Sequence, residues 1–299
     1  MSTDRQRLPG LPDWGRCAVM GILNVTPDSF SDGGLWLDPG RAVARGLKMV
    51  AEGADLVDVG GESTRPGAVR ITCEEELRRV LPVVRGLVEG GALVSVDTMR
   101  ADVARAAVDA GACLINDVSG GRADPAMARA AARTGVPFVV MHWRGFSDGM
   151  DELAVYEDVA GEVVKEIERQ IDVVVSAGVD PAQVIVDPGL GFAKTREHDW
   201  AVLAEVDAFA HLGRPVLIAA SRKRFLGTLL ADPDSGSLRP AKERDAATAA
   251  VSALAAAQGA WAVRVHRVPD TVDAVRVEAA MRCARNASRS SHEQYGDDG

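Results

Sequence analysis

The chain has 299 residues, 47% hydrophobic and 26% charged, which is globular composition and excludes a largely disordered polymer. Its formal charge is −9, from 34 Lys and Arg against 43 Asp and Glu, so it is not built to wrap nucleic acid or lie on an anionic membrane. No apolar run approaches the ~20 residues of a membrane span, and Cys17, Cys73, Cys113 and Cys283 are scattered without a CxxC pair, which argues against disulfides and zinc and for a cytoplasmic protein.

Residues 1–15 carry Pro, Gly and charge without periodicity and are expected to be flexible. Short apolar, β-branched runs follow at Cys17–Leu23, Leu56–Val59, Leu93–Val96, Cys113–Val118, Phe138–His142, Val184–Val186, Val216–Ala220 and Trp261–Val265. Such runs fit strands buried on both faces. Ala-rich amphipathic segments alternate with them, among them Pro39–Glu52, Ala101–Ala110, Tyr156–Ala177 and Arg244–Gln258. Gly53, Gly111, Gly178 and Gly259 close these segments as helix caps. Residues 286–299 are expected to form a disordered tail.

Eight strands, each followed by a helix, predict an α/β fold, a (β/α)8 barrel in a single domain over residues 16–285. The alternative is a doubly wound open sheet. It would carry a G-x-G-x-x-G turn after its first strand, and Gly21-Ile-Leu-Asn24 lacks one.

Barrel enzymes keep their chemistry at the carboxyl ends of the strands, and here those ends are polar. They supply Asn24, Asp58, Asp97-Thr98, Asn116-Asp117, His142, Asp187, Ser221-Arg222-Lys223-Arg224, Arg264 and His266. Asp97-Thr98 and Asp117 could be helix caps instead, and Asp58 reads as structural because Gly60-Gly61 behind it implies a tight turn. Caps do not account for Asn24, Asp187, Lys223, Arg264 and His266. Burying so many polar groups without a ligand is costly. Asp97, Asn116 and Asp187 form an acceptor-rich side; Lys223, Arg264 and His266 form a cationic side where barrels often hold phosphate. The ligand this implies is a flat, donor-rich heterocycle carrying a phosphate or pyrophosphate.

Two Gly-flanked loops, 24–34 with Phe30 and 62–70 with Arg65, extend the rim and read as lids. The first strand has no H-x-H pair, which removes a barrel metal hydrolase, and Lys223 lies beyond its strand, which disfavours a carbinolamine-forming aldolase. Cys17 and Cys113 read as packed small hydrophobes. Met141 and Phe192 are either core or stacking surfaces.

Met20–Gly34 and Val57–Gly67 resemble the two leading motifs of bacterial dihydropteroate synthases. Ser95–Thr98, Ile115–Gly121, Asp187–Lys194, Ser221–Lys223 and Arg264–His266 resemble the remaining motifs, in the same order, over about residues 16–283. The Ala-rich helices and the run from Ser221 to Gly227 resemble actinobacterial members. The resemblance implies condensation of 6-hydroxymethyl-7,8-dihydropterin diphosphate with p-aminobenzoate, giving 7,8-dihydropteroate and pyrophosphate, with sulfonamides competing for the p-aminobenzoate site. It implies pterin contacts from Asp97, Asn116, Met141, Asp187 and Lys223. The diphosphate falls to Asn24, Arg65, Arg264 and His266. Mg2+ falls to Asn24 and the diphosphate, aided by Asp32. Phe30, Thr64, Pro66 and Phe192 would wall the p-aminobenzoate site. Asp97, Lys223, Arg65 and Asp32 are the implied catalytic residues, and a homodimer is the implied assembly. Arg224 departs from the family's usual Ser at the p-aminobenzoate carboxylate, which it would then contact instead.

Two alternatives share the barrel. A methyltetrahydrofolate–corrinoid methyltransferase would share the Asp and Asn pterin site but has no use for Arg264-Val-His266. A non-catalytic pterin-binding paralogue should have lost Thr64-Arg65, Lys223 or Arg264, all of which stand here.

Overall fold

The computed structural model describes residues 7–26, 38–63, 70–146 and 150–294. Strands and helices alternate: β1 (Ala18–Asn24), α1 (Pro39–Ala51), β2 (Leu56–Gly60), α2 (Cys73–Glu89), β3 (Val94–Asp97), α3 (Ala101–Asp109), β4 (Leu114–Asp117), α4 (Met127–Thr134) and β5 (Phe138–Met141) form the first part. The second part is α5 (Val159–Ser176), β6 (Val184–Asp187), α6 (Arg196–Ala204), β7 (Leu217–Ile218), α7 (Arg224–Leu229), α8 (Asp245–Ala257), β8 (Ala262–Val265) and α9 (Val268–Gln294). All pairings are parallel, in the order β6-β5-β4-β3-β2-β1-β8-β7. A parallel bridge between Val186 and Val216 brings β6 against the entry to β7 and closes the ring. The expected (β/α)8 barrel is therefore the observed one.

Local chemistry sets the element ends. Asp38, Thr72, Asp158 and Thr195 accept hydrogen bonds from the first turns of α1, α2, α5 and α6. Gly53 (φ 102°) and Gly111 (φ 106°) turn the chain back to the next strand in the left-handed conformation that other residues resist. Outward strand residues such as Val57, Val59, Val94, Val96 and Val186 pack on the helices in one continuous core. Inward residues Ala18, Met20, Leu56, Leu114, Val139, Ile185, Leu217 and Ala262 fill the barrel itself.

Two terminal expectations are corrected. Residues 8–14, expected to be flexible, cap the amino end of the barrel. Leu8 is buried, and Leu11 and Trp14 pack on the same inner cluster, with the Trp14 ring 6.2 Å from that of Trp261. Isolated apolar residues among Pro and Gly have no period, yet they pack once a surface is offered. The expected disordered tail is also shorter, because α9 continues helical through 286–294. Adding residues to a helix that is already nucleated costs little, even for a segment of low apolar content.

Candidate active site

Successive strand residues face opposite sides of a sheet, so the apolar inner layer dictates what stands above it. Two residues beyond Ile22, Leu56, Leu114, Val139, Ile185 and Ala262 come Asn24, Asp58, Asn116, Met141, Asp187 and Arg264. Asp97 stands in the same tier, paired in register with Gly60 and Asn116. The carboxyl end of the barrel is thus floored by polar groups resting on an apolar plug.

Arg264 is the centre of this floor. Its Nε lies 2.6 Å from Asp58 Oδ2 and its Nη2 2.6 Å from Asp97 Oδ2. Asp58 also accepts from Asn116 Nδ2 at 3.0 Å. The acceptor-rich and cationic sides expected from sequence are therefore interlocked rather than separate. Asp58, expected to be structural, is so through side-chain bonds rather than a turn: it is fully buried and holds both Arg264 and Asn116. Burial pushes the Asp97 carboxyl above its ordinary range, Arg264 pulls it back, and Asp58 opposes that pull. Asp58 Oδ1 and Ser95 Oγ are buried without a hydrogen-bond partner among the described residues.

The β6–α6 turn forms the opposite wall. Asp187 Oδ1 accepts the Gly189 N–H at 2.7 Å, so this carboxylate shapes its own turn as well as facing the barrel. Burial raises its pKa and Lys223 opposes that rise. Burial lowers the pKa of Lys223, with Asp187 and Asp199 opposing. Its Nζ donates to the Leu190 carbonyl and lies 4.8 Å from the centre of the Phe192 ring. Phe192 is thereby a half-buried surface beside the cation, the stacking option of the two left open by sequence. Just beyond β8, the His266 backbone N–H donates to Ser221 Oγ at 3.1 Å, and that oxygen lies 2.9 Å from His266 Nδ1.

Phe30, Asp32, Thr64, Arg65 and Pro66 lie outside the described residues. Beside the second loop, Arg100 binds Glu62 at 2.7 Å and the Ile71 carbonyl at 2.6 Å, which fixes the chain on either side of 64–69. Arg224 opens α7 with its side chain exposed. Neither Thr98 nor Asp117 caps a helix: the N-cap positions of α3 and α4 are Arg100 and Ala126, while Thr98 Oγ1 accepts from Arg100 N and Asp117 accepts from the backbone of Ser119 and Gly121 in the turns after β3 and β4.

Residues 20–266 match the family model described as pterin binding enzyme. The dihydropteroate synthase of Mycobacterium leprae is 56% identical over 263 residues, covering 88% of this chain and 92% of that protein. The chain belongs to the dihydropteroate synthase family. A Xanthomonas albilineans dihydropteroate synthase with 4-aminobenzoic acid superposes with a TM-score of 0.82 at 44% identity, covering 89% of this chain and 93% of that one. The same organism's enzyme in complex with 7,8-dihydropteroate gives 0.79 at 40% identity, with 94% and 95% covered. The protein is accordingly a transferase of folate biosynthesis, a dihydropteroate synthase. Among the described residues, no helix is long and apolar enough to cross a membrane.

Sequence reasoning missed the charged network behind the β6–α6 turn. Lys194 Nζ lies 2.9 Å from His142 Nδ1, and His142 Nε2 lies 2.9 Å from Glu166 Oε2. Burial pulls His142 down to about 4 and Lys194 down to about 7. His142 had been visible as a rim residue, but nothing in the spacing indicates that Lys194 folds back onto it.

The Mg2+ that the sequence resemblance implies would need oxygen donors. An alanine methyl at Gly60 would lie 3.6 Å from both Asn24 Oδ1 and Asp97 Oδ2, so these two oxygens flank one point of the rim. The described residues contain no cluster of three or more His, Cys, Asp or Glu able to hold a metal. A hard cation that takes most of its ligands from phosphate and water fits that donor set.

Proposed function

We propose that the reaction runs by dissociative substitution, with the pterin deepest in the barrel and p-aminobenzoate nearer the mouth. The observation that carries this is the inward tier of Asp58, Asp97, Asn116 and Asp187, with Arg264 and Lys223 set among them. Acceptors on one ring of strands suit a heterocycle rich in N–H groups, with Lys223 donating to its carbonyl and Met141 against its face. Asp58 Oδ2 engages the Asn116 amide and so sets its orientation.

Asn24, Arg264 and His266 receive the diphosphate, with Arg65 from the second loop. Asp58 and Asp97 engage Nε and Nη2 of Arg264, and Nη1 is the donor assigned to the diphosphate. Ser221 Oγ takes the His266 backbone hydrogen and gives its own to Nδ1, which keeps the ring's remaining hydrogen on Nε2 for a phosphoryl oxygen. Asn24, with Asp32, would hold Mg2+, which when bound offsets the charge of the departing pyrophosphate. The C–O bond of the exocyclic methylene breaks and its electron pair leaves with pyrophosphate. The Asp97 carboxylate stabilises the dihydropterin cation. The aniline nitrogen of p-aminobenzoate then attacks the methylene and gives up a proton. Phe192 walls that substrate, as do Phe30, Thr64 and Pro66, and Arg224 serves its carboxylate through the start of α7. Sulfonamides compete at this wall.

Two copies associate through α8 and α9, where Leu254, Val277 and Met281 are exposed apolar side chains remote from the β6–α6 turn in sequence. Light scattering on wild type and Met281→Glu tests the dimer; a monomeric wild type removes it. Product formation with and without Mg2+ tests the chemistry. Mg2+-dependent dihydropteroate with equimolar pyrophosphate is expected, and retention of full rate in Arg264→Ala overturns the diphosphate assignment.

A further inference from the structure

Behind the turn that carries Phe192 runs a buried line of charge that the chemistry above does not use. Lys194 Nζ faces three acceptors: His142 Nδ1 at 2.9 Å, the Gly189 carbonyl at 3.2 Å and the Phe192 carbonyl at 3.3 Å. Three acceptors match the three hydrogens of an ammonium. His142 Nε2 lies against Glu166 Oε2, and a carboxylate only accepts, so the ring hydrogen is on Nε2 and Nδ1 is left as the acceptor Lys194 requires. Arg144 anchors the far end, with Nη2 2.6 Å from Glu166 Oε1 and Nη1 2.9 Å from the carbonyls of Leu153 and Val155.

The turn depends on such support. Gly189 (φ 69°), Gly191 (φ 71°) and Ala193 (φ 46°) are all in the left-handed region, and Ala193 is not a glycine. Its carbonyls are held mainly by side chains. Lys194 takes those of residues 189 and 192, Lys223 that of 190, and the Tyr156 hydroxyl that of 193 at 2.9 Å. Asp187, by contrast, has its backbone fixed by its own strand, pairing with Met141 and accepting from His142 N at 2.8 Å, and its side chain meets the turn at the first glycine, where Oδ1 takes the Gly189 N–H.

We propose that Lys194 is a positioning residue for the p-aminobenzoate site: with His142 and Glu166 it forms a buried strut that sets where the Phe192 ring stands. This rests on the assignment of Phe192 to that site. Loosening the strut frees the turn while leaving Asp187, and with it the pterin, in place.

The test is steady-state kinetics at pH 6.5, below the value of about 7 for Lys194, on wild type, Lys194→Met, Lys194→Gln, Glu166→Gln and Phe192→Ala. Lys194→Met should raise KM for p-aminobenzoate about tenfold and leave KM for the pterin diphosphate within about twofold, with Lys194→Gln restoring part of the loss through its two amide hydrogens. Hydrogen exchange should accelerate over residues 189–193. Glu166→Gln, which alters only the far end of the strut, should show the same split more weakly and serves if Lys194→Met does not fold. A KM unchanged in Lys194→Met but raised in Phe192→Ala overturns the strut. Equal rises for both substrates reduce Lys194 to general stability and overturn it too. An unchanged KM in Phe192→Ala overturns the assignment of Phe192 and the inference with it.

Discussion

Replacing Arg264 with Met keeps most of the side-chain stem and removes the guanidinium from between two carboxylates. Asp58 Oδ2 and Asp97 Oδ2 each lose a charge-assisted hydrogen bond of 2.6 Å. Asp58 is fully buried and keeps only Asn116 Nδ2 at 3.0 Å, while the Asp97 side chain is 13% exposed and can draw on water. Removing one partner of a buried pair costs about 3–5 kcal/mol, because the orphaned charge stays behind. With two carboxylates orphaned and one of them partly hydrated, the loss should fall in the upper half of that range, out of a total stability of about 5–15 kcal/mol. Urea unfolding from pH 8 down to pH 5 measures it. Burial already raises the Asp97 carboxyl and Arg264 lowers it, so without the guanidinium its folded pKa rises further above the unfolded value of about 3.9, and its penalty is present at high pH and fades as pH falls through the folded value. The deficit should therefore shrink towards pH 5, and adding Asp58→Asn should recover part of it at pH 8. A variant as stable as wild type at pH 8, or one whose deficit does not change with pH, refutes a guanidinium that balances these two carboxylates.

Gly189→Ala would set its methyl 2.3 Å from the His142 carbonyl oxygen at φ 69°. The backbone strain alone costs about 1–2 kcal/mol, so a clear fall in Tm by scanning calorimetry is expected. For His142, whose folded pKa of about 4 lies below the ordinary imidazole value, the unfolded chain binds the extra proton between the two. Its contribution to stability is full above the unfolded value and is lost as pH falls through this window. Nitrogen NMR should find the ring neutral at pH 6 with its hydrogen on Nε2; a protonated ring there contradicts the geometry. Leu8→Ala should cost about 2–3 kcal/mol in urea unfolding and leave both KM values unchanged, since Leu8 packs at the end of the barrel away from the site.

The strands were legible because each is a run of apolar, β-branched residues ended by polar ones, and the observed Leu56–Gly60 and Ala262–Val265 begin within a residue of expectation. β7 is the weakest match. It was expected over 216–220 and pairs only at Leu217–Ile218, since backbone pairing depends on neighbours that composition does not reveal. Asn24, Asn116, Asp187 and Arg264 were found from their places at strand ends. Asp58 was read as structural for the wrong reason, the two glycines behind it, although it follows Leu56 by two on the inward face. Lys194 was missed for a different reason. Its partner His142 is 52 positions away, and only the closed ring brings β5 and the β6–α6 turn together. Tertiary contacts of that kind leave no local period.

The apolar plug beneath the polar tier has a kinetic meaning. Met20, Leu56, Leu114, Val139, Ile185 and Leu217 fill the barrel, and Leu8 and Trp261 pack over its amino end, so the cup has a base. Reactants and products must share one mouth. On the proposed placement, a pterin resting on Asp97, Asn116 and Asp187 would lie beneath whatever stands at Phe192, which would make traffic sequential: the heterocycle would enter before the aniline, and a ligand at the wall would delay the exit of anything below. Inhibitors directed at the wall should therefore slow the release of a pterin bound below them.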